Sequence, residues 1–198
     1  MSDVLVAVET VSRAKQLKAA TGALHEALDA RMMGADLFSS RDRYALFLAM
    51  QRRLHAGIAP LYGEPALAAL VPDLPGRAKL VEIDRDFADI GATPPADEPV
   101  FVDPKDVPAA LGWLYVAEGS SLGAAFLLKA AEALGLSVEH GARHLAAHPE
   151  GRGLHWRRFT QALDAVELTE AEEARAEAAA VVAFRRVSRI AEETLAGA

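Results

Sequence analysis

The 198-residue chain is predicted to be an all-α protein. Several segments place apolar residues three and four positions apart, which is the period of one helix face. Proline or glycine separates these segments, and no segment alternates apolar and polar residues long enough to indicate a β-strand. The length and the 52% hydrophobic content suit one domain over residues 1–198.

The first half of the chain is predicted to contain four helices. Apolar residues at helical spacing mark a first helix over about Thr10–Met33. Ser39 and Asp42 are spaced as a capping box for a second helix, which Pro60 and Gly63 end. Shorter helices are expected in "EPALAAL" and around "GRAKLVEIDRDFADIGA".

Three further helices follow a proline-rich connection, "TPPADEPVFVDPKDVP", which is expected to be extended and at the surface. The first of them is long and apolar and ends at Leu134, before Gly135. Another covers about Leu154–Val166, and Thr169 with Glu172 caps the last one.

Composition excludes several classes of function. The formal charge of -7 argues against nucleic-acid binding, which needs a basic surface. The chain has no cysteine, so disulfides, thiolate metal sites and cysteine nucleophiles are excluded. The segment "MSDVLVAVETVSRAK" lacks the pattern of a signal peptide, and the apolar region Val107–Leu136 contains Glu118 and Lys129, which disfavour a membrane span. A cytoplasmic protein is expected.

Two glycines stand inside the long apolar helix. Gly119 and Gly123 are four residues apart, and each costs a helix interior roughly 1 kcal/mol relative to alanine. At this spacing they form a flat patch on one helix face. Either a second helix packs closely against the patch, or a flat cofactor lies on it.

His25 is the histidine of greatest interest. Asp29 follows it at i+4, where its carboxylate can bind the imidazole Nδ1 and leave Nε2 free for a metal. The alternative is a half-buried histidine that pairs with an aspartate for structural reasons.

The remaining histidines are expected to pack or to face solvent. Three recur at four-residue spacing in "HGARHLAAH": His140, His144 and His148. A helix would align them for a divalent metal, but Gly141 and Pro149 disfavour that helix, and a solvated surface run is expected. His55 and His155 are predicted to be packing or surface residues.

These segments resemble the haem oxygenases, and most closely their bacterial branch. "LKAATGALHEALDA" is similar to the proximal-helix motif of that family, and "GWLYVAEGSSLGAAFLLKAAEALGL" resembles its distal helix. "HGARHLAA" and the final helices also correspond, so the resemblance covers nearly the whole chain. It implies a multi-helical bundle that holds haem between a proximal N-terminal helix and a kinked distal helix.

The resemblance implies roles for individual residues. His25 is the implied axial ligand of the iron, supported by Asp29, while Gly119 and Gly123 bring backbone over the haem. Many members carry an aspartate directly after the first distal glycine, where this chain has Ser120. Water held by the backbone and by serine is then expected to deliver protons.

Four further residues are implied to hold the edge of the haem. Lys18 and Tyr115 match positions that bind the propionates in many members, which implies opening of the ring at the α-meso carbon. Arg185 and Arg189 are further basic candidates on the last helix.

The implied reaction converts haem to biliverdin, ferrous iron and carbon monoxide with O2. Haem is then both cofactor and substrate. The chain has no flavin, nicotinamide or iron–sulfur motif, so the electrons are expected from a separate ferredoxin or flavoprotein reductase. In this branch the purpose is iron acquisition or bilin supply to phytochromes.

Three alternatives stay open at this point. Ser120 favours a non-catalytic haem carrier or sensor on the same fold. A thiaminase-like enzyme of this architecture relies on a cysteine, which the chain lacks. A helical interaction protein without a cofactor is the third.

Overall fold

A computed structural model describes residues 12–197 of the chain, and over this range it contains helices and no strand. The all-α prediction is therefore confirmed. Three short 3₁₀ turns lie at Ala59–Gly63, Pro75–Arg77 and Arg143–Leu145. The α-helices are α1 (Arg13–Gly34), α2 (Arg41–Ile58), α3 (Pro65–Leu70), α4 (Leu80–Ile90), α5 (Val107–Glu132), α6 (Arg152–Ala165) and α7 (Glu170–Ala196).

The start of α2 differs from the prediction. Ser40 is the N-cap, because its backbone is extended and its hydroxyl oxygen accepts a hydrogen bond from the Arg43 amide at 3.2 Å. Ser39 instead lies in the preceding turn and donates its hydroxyl to the carbonyl of Asp36. The capping box predicted at Ser39 and Asp42 is therefore wrong by one residue.

Other helix ends lie within about four residues of the predictions. α1 begins after Ser12, while the predicted start at Thr10 lies outside the described residues. α5 ends at Glu132, and Gly135, with φ +74°, reverses the chain just beyond it. The capping box of α7 is confirmed, since the Thr169 amide donates to the Glu172 carboxylate at 2.8 Å.

Arg13 fixes the first turn of α1 to the far end of the chain. Its guanidinium is buried, pairs with Glu173 of α7 at 2.6 Å and donates to the carbonyls of Leu163 and Val166. These bonds hold α1 against the junction between α6 and α7.

The core lies between α5 and α7, with α1 and α2 packed against α7. Gly112 allows the close approach of α5 and α7, because a Cβ there would collide with the Ala176 carbonyl and lie 2.9 Å from the Ala180 amide nitrogen. Residues 108–118 of α5 are all buried. By length and composition alone α5 could also span a membrane, but this buried half forms the centre of the bundle.

The proline-rich connection is extended, as predicted, and it is also tied to the bundle. Phe101 donates its amide to the Gly57 carbonyl at 2.9 Å, and its ring packs on Trp113. Arg52 and Arg53 of α2 form ion pairs with Asp97 and Glu98 of the connection. The segment therefore covers apolar surface of the core.

Candidate functional site

The second half of α5 presents an open face around its two glycines. A Cβ at Gly123 would meet no atom within 4 Å, and one at Gly119 would meet only the Trp156 ring, at 3.6 Å. Phe126 is 74% exposed and Leu122 is 43% exposed along the same stretch. No backbone of a second helix lies against these glycines, so the alternative of close helix packing is wrong for them. Close packing occurs at Gly112 instead.

His25 and Asp29 form the predicted contact on α1. Nδ1 of His25 lies 2.9 Å from the Asp29 carboxylate, and the two side chains are 61% and 60% exposed. The carboxylate occupies Nδ1, so Nε2 is the ring nitrogen available to a ligand. This histidine is exposed, which contradicts the alternative of a half-buried structural residue.

Packing brings the His25 segment of α1 to α5. Leu28, one turn beyond His25, packs against the cluster that contains Ala117 and against a second one that contains Ala124. The His25 ring also lies edge-on to Phe184 of α7, with centroids 5.8 Å apart. Leu28 therefore packs where α1 meets the core, and the imidazole itself contacts α7.

The other predicted residues lie at different depths. Lys18 on α1 and Arg185 and Arg189 on α7 are exposed, and none of them forms an ion pair within residues 12–197. Tyr115 is 9% exposed and its ring packs on Trp156, with centroids 5.6 Å apart. Burial raises the pKa of its phenol.

The serines of α5 bond to their own helix. Ser120 donates its hydroxyl to the carbonyl of Ala117 at 2.7 Å, and Ser121 donates its hydroxyl to the backbone carbonyl of Glu118 at 2.6 Å. Each hydroxyl oxygen can still accept a hydrogen bond. No carboxylic acid occupies position 120 to act directly as a proton donor.

A polar cavity of about 180 Å³ lies next to these serines. Ser120, Ser121 and Glu118 line it from α5, and Glu118 is paired there with Arg77 at 2.7 Å. Burial raises the pKa of Glu118, although the Arg77 guanidinium opposes that shift. His55 also lines the cavity, and burial, with His144 and Lys79 adding to it, lowers its pKa to about 3.

The run of three histidines is not a solvated surface. Gly141, with φ +78°, turns the chain, so the histidines do not share a helix face. His144 is buried with Nδ1 2.7 Å from the Asp86 carboxylate, whereas His140 is exposed. His148 stacks on His155 with centroids 4.2 Å apart. Among residues 12–197 no group of three or more histidine, aspartate or glutamate side chains could hold a metal.

Known proteins match this chain over nearly its whole length. The family model described as "Heme oxygenase" matches residues 98–193. The heme oxygenase PigA of Pseudomonas aeruginosa is 41% identical over 185 residues, which are 93% of each protein. The chain belongs to the haem oxygenase family. A heme oxygenase structure from Neisseria meningitidis, solved with NO and CO bound, also matches with a TM-score of 0.87 at 39% identity, covering 94% of each chain.

This haem oxygenase is an enzyme, an oxidoreductase that cleaves haem, rather than a non-catalytic carrier. Its residues fit the substrate on structural grounds. A planar ring needs a wall free of side chains, and the space beside Gly123 is open. The ring also needs apolar contact, for which the exposed side chains of Phe126 and Leu122 are available. Its iron needs a free imidazole nitrogen, and the Nε2 atom of His25 is one.

Sequence reasoning missed the cavity residues of the haem oxygenase. Arg77 and Tyr62 received no role, and His55 was assigned only to packing or surface. One signal was present, because Glu118 is a carboxylate in an otherwise apolar stretch and such a group needs a buried partner. Nothing in the sequence identified Arg77 as that partner.

Proposed function

We propose that this haem oxygenase converts haem to biliverdin, ferrous iron and carbon monoxide, using O2 and electrons from a separate ferredoxin or flavoprotein reductase. The active unit is one domain over residues 1–198. Two observations support the proposal: the exposed His25, whose Nδ1 is bound by Asp29, and the open face of α5 at its glycines.

His25 is proposed as the axial ligand of the haem iron through Nε2. The Asp29 carboxylate accepts the Nδ1 proton at 2.9 Å, which selects the tautomer with a free Nε2 and orients the ring. Phe184 limits rotation of the imidazole from the side. When bound, haem supplies both the iron that activates O2 and the ring that is cleaved.

Gly119 and Gly123 are proposed to receive the distal face of the haem. Without side chains they let the backbone of α5 approach the ring, and they place no acid or imidazole over the iron. Burial of Phe126, Leu122 and the flat face of the ring stabilises the complex by about 25 cal/mol per Å² of apolar surface. This gain offsets the helix propensity lost at the two glycines.

Proton delivery is proposed to run through water held by the polar groups beside α5. Ser120 replaces the aspartate of many members, and its hydroxyl proton is engaged by the Ala117 carbonyl. Its oxygen is therefore an acceptor toward water, and Ser121 is placed in the same way.

Four residues are proposed to hold the propionates. Lys18, Arg185 and Arg189 are exposed cations on α1 and α7, the two helices that carry His25 and Phe184. Tyr115 offers a phenol at the buried end of the open face. Cationic and phenolic donors pair well with carboxylates and set which edge of the ring faces the α-meso cleavage site.

The enzyme is proposed to work in the cytoplasm, where the products serve iron acquisition or bilin supply to a phytochrome. Its charge of -7 disfavours nucleic acid as a partner. No membrane is required in this proposal.

Spectroscopy with haem and reductant tests the proposal. The purified protein should form a complex with a histidine-ligated spectrum, which decays to a biliverdin band under air with ferredoxin and its reductase. His25→Ala should lose the ligated spectrum and regain it with added imidazole, while His140→Ala, an exposed histidine away from α1, should behave as the parent. A haem spectrum that persists through many turnovers of reductant would contradict cleavage, and unchanged ligation in His25→Ala would contradict the assigned ligand.

A further inference from the structure

Two histidines stand side by side at the outer wall of the polar cavity beside α5. The imidazoles of His148 and His155 are stacked, with centroids 4.2 Å apart and planes inclined by 15°, and both line the cavity. Their side chains are 25% and 14% exposed. The other two histidines among the described lining residues, His55 and His144, are buried. The stack is therefore where imidazoles of the cavity reach solvent.

The turn before α6 fixes the outer ring of the stack. Nδ1 of His148 accepts a hydrogen bond from the Glu150 amide at 3.2 Å, so the neutral ring carries its proton on Nε2. The Glu150 carboxylate, 3.9 Å from the same nitrogen, is paired with Arg158. The Gly151 amide donates to the His148 carbonyl at 2.7 Å and closes the turn. His155 follows at the start of α6, beside the ring of His148.

The inner ring of the stack faces the carboxylate of the cavity. Nε2 of His155 lies 3.9 Å from Glu118, a gap that a water molecule or a small rotation of the ring closes. Glu118 is 7% exposed, so exposure decreases in order from His148 through His155 to Glu118. Ser121 lines the cavity next to Glu118, and Arg152 of α6 donates to the Ser121 carbonyl at 3.2 Å. A row of protonatable groups therefore leads from solvent to α5.

The surrounding charges keep the inner ring neutral. Burial lowers the pKa of His155 to about 4, and Arg77, His148 and Lys79 add to this shift, while Asp73 opposes it. A neutral imidazole has one N–H and one free nitrogen. It can therefore accept a proton on one side while it releases a proton on the other.

The proposed cleavage of haem requires protons from solvent, because reduction of O2 to water consumes them. The hydroxyl protons of Ser120 and Ser121 are engaged by carbonyls of their own helix, and Glu118 is paired with Arg77. None of these groups is a store of protons, so the water beside α5 must be resupplied from outside.

We infer that His148 and His155 form a proton inlet to this compartment. His155 binds a proton from solvent and releases a proton from Nε2 to water beside the Glu118 carboxylate, so the ring is neutral before and after. His148 holds that ring by stacking and is the imidazole that solvent meets first. The inference rests on the proposed haem cleavage, in which water held beside Ser120 and Ser121 delivers the protons.

Single-turnover decay of the haem complex, under air with ferredoxin and its reductase, tests the inlet. His155→Gln removes the titratable ring, and in dilute buffer it should slow the decay about tenfold, increasingly so as pH rises. Phosphate, which has a dissociable proton near neutral pH, should restore the rate, whereas sulfate at equal ionic strength should not. His140→Gln is the matched control, because His140 is exposed and lies outside the cavity lining. It should decay as the parent does.

Proton exchange in the protein without haem gives a second readout. The Nε–H group of Arg77 is buried in the compartment and donates to the Pro72 carbonyl at 3.0 Å. Its exchange with water, measured by NMR, should be several times slower in His155→Phe, which keeps a flat ring beside His148 but has no titratable nitrogen. His140→Phe should exchange at the rate of the parent protein.

Two kinetic results would overturn the inference: parent-like decay in His155→Gln, or an equal effect of phosphate and sulfate on that variant. Parent-like exchange at Arg77 in His155→Phe would overturn it as well. A parent protein that binds haem without cleaving it would contradict the proposed function, and the exchange measurement would still decide whether the two histidines admit protons.

Discussion

Arg77 and Glu118 form a buried ion pair that joins the turn at Pro75–Arg77 to the centre of α5. Nη1 of Arg77 lies 2.7 Å from the Glu118 carboxylate, with side chains 2% and 7% exposed. The guanidinium also donates to the carbonyl of Pro72 and lies over the Phe159 ring. Each charge therefore has its main partner inside the protein, and removal of one leaves the other desolvated and alone.

Arg77→Met should lower the free energy of unfolding by about 3–5 kcal/mol, because it leaves the Glu118 carboxylate buried without a counter-charge. Urea denaturation measures the change. Arg31→Met is the matched control, since Arg31 pairs with Glu192 at the surface, and should cost at most about 1 kcal/mol. An equal loss of unfolding free energy in the two variants would show that breaking the buried pair costs no more than breaking a surface pair.

His55 should make the protein less stable at acid pH. Burial lowers its pKa in the folded state to about 3 from the ordinary 6.5, so between these values the unfolded chain binds a proton that the folded chain does not. The free energy of unfolding should then fall by about 1.4 kcal/mol per pH unit from this group as pH drops below 6.5. Denaturation at several pH values from 8 to 4 measures the slope.

His55→Gln tests the assignment of that slope. The variant should lose the contribution of one proton below pH 6.5, while its stability at pH 8 reports the change in packing alone. A slope identical to that of the parent chain would mean that another group controls the acid sensitivity.

Gly112→Ala should destabilise the bundle by about 1–3 kcal/mol, because its Cβ would overlap the backbone of α7 at Ala176 and force α5 away. Gly22→Ala on α1 is the control. Nothing lies within 4 Å of a Cβ at Gly22, so this change should stabilise the protein by about 0.4–1 kcal/mol. Thermal or urea unfolding measures both changes in stability. Equal changes at the two glycines would disprove the close crossing of α5 and α7.

Gly123→Leu should separate folding from haem binding. The space beside Gly123 accommodates a side chain, so the free energy of unfolding should stay the same or rise by up to about 1 kcal/mol. The same side chain would occupy the proposed haem face, and haem affinity should fall about tenfold, equivalent to 1.4 kcal/mol, or the cleaved edge of the ring should change.

Gly153→Leu on α6 is the control for haem affinity, since a Cβ there also meets nothing within 4 Å. Spectral titration with haem and chromatography of the biliverdin isomers are the two measurements. If Gly123→Leu has the haem affinity and the biliverdin isomer of the parent protein, the proposal that haem lies on the glycine face is contradicted.

Much of the fold could be predicted because it rests on local patterns. The helical period located α1, α2 and α5, and the Thr169 capping box marked the start of α7. His25 and Asp29 could be paired for the same reason, since residues at i and i+4 meet on any helix. The predicted N-cap at Ser39 was wrong because two adjacent serines can both serve, and only the chain direction into α2 selects Ser40.

The sequence by itself determined an all-α chain, its helix boundaries to within a few residues and the facing pair on α1, because each depends on neighbours along one helix. Only the tertiary structure decided which glycines are covered. Gly112 lies under α7, Gly119 borders only the Trp156 ring, and Gly123 is open. It also decided that Arg77 meets Glu118, 41 residues away in sequence. Such contacts depend on how helices cross, and no periodicity within one segment encodes that crossing.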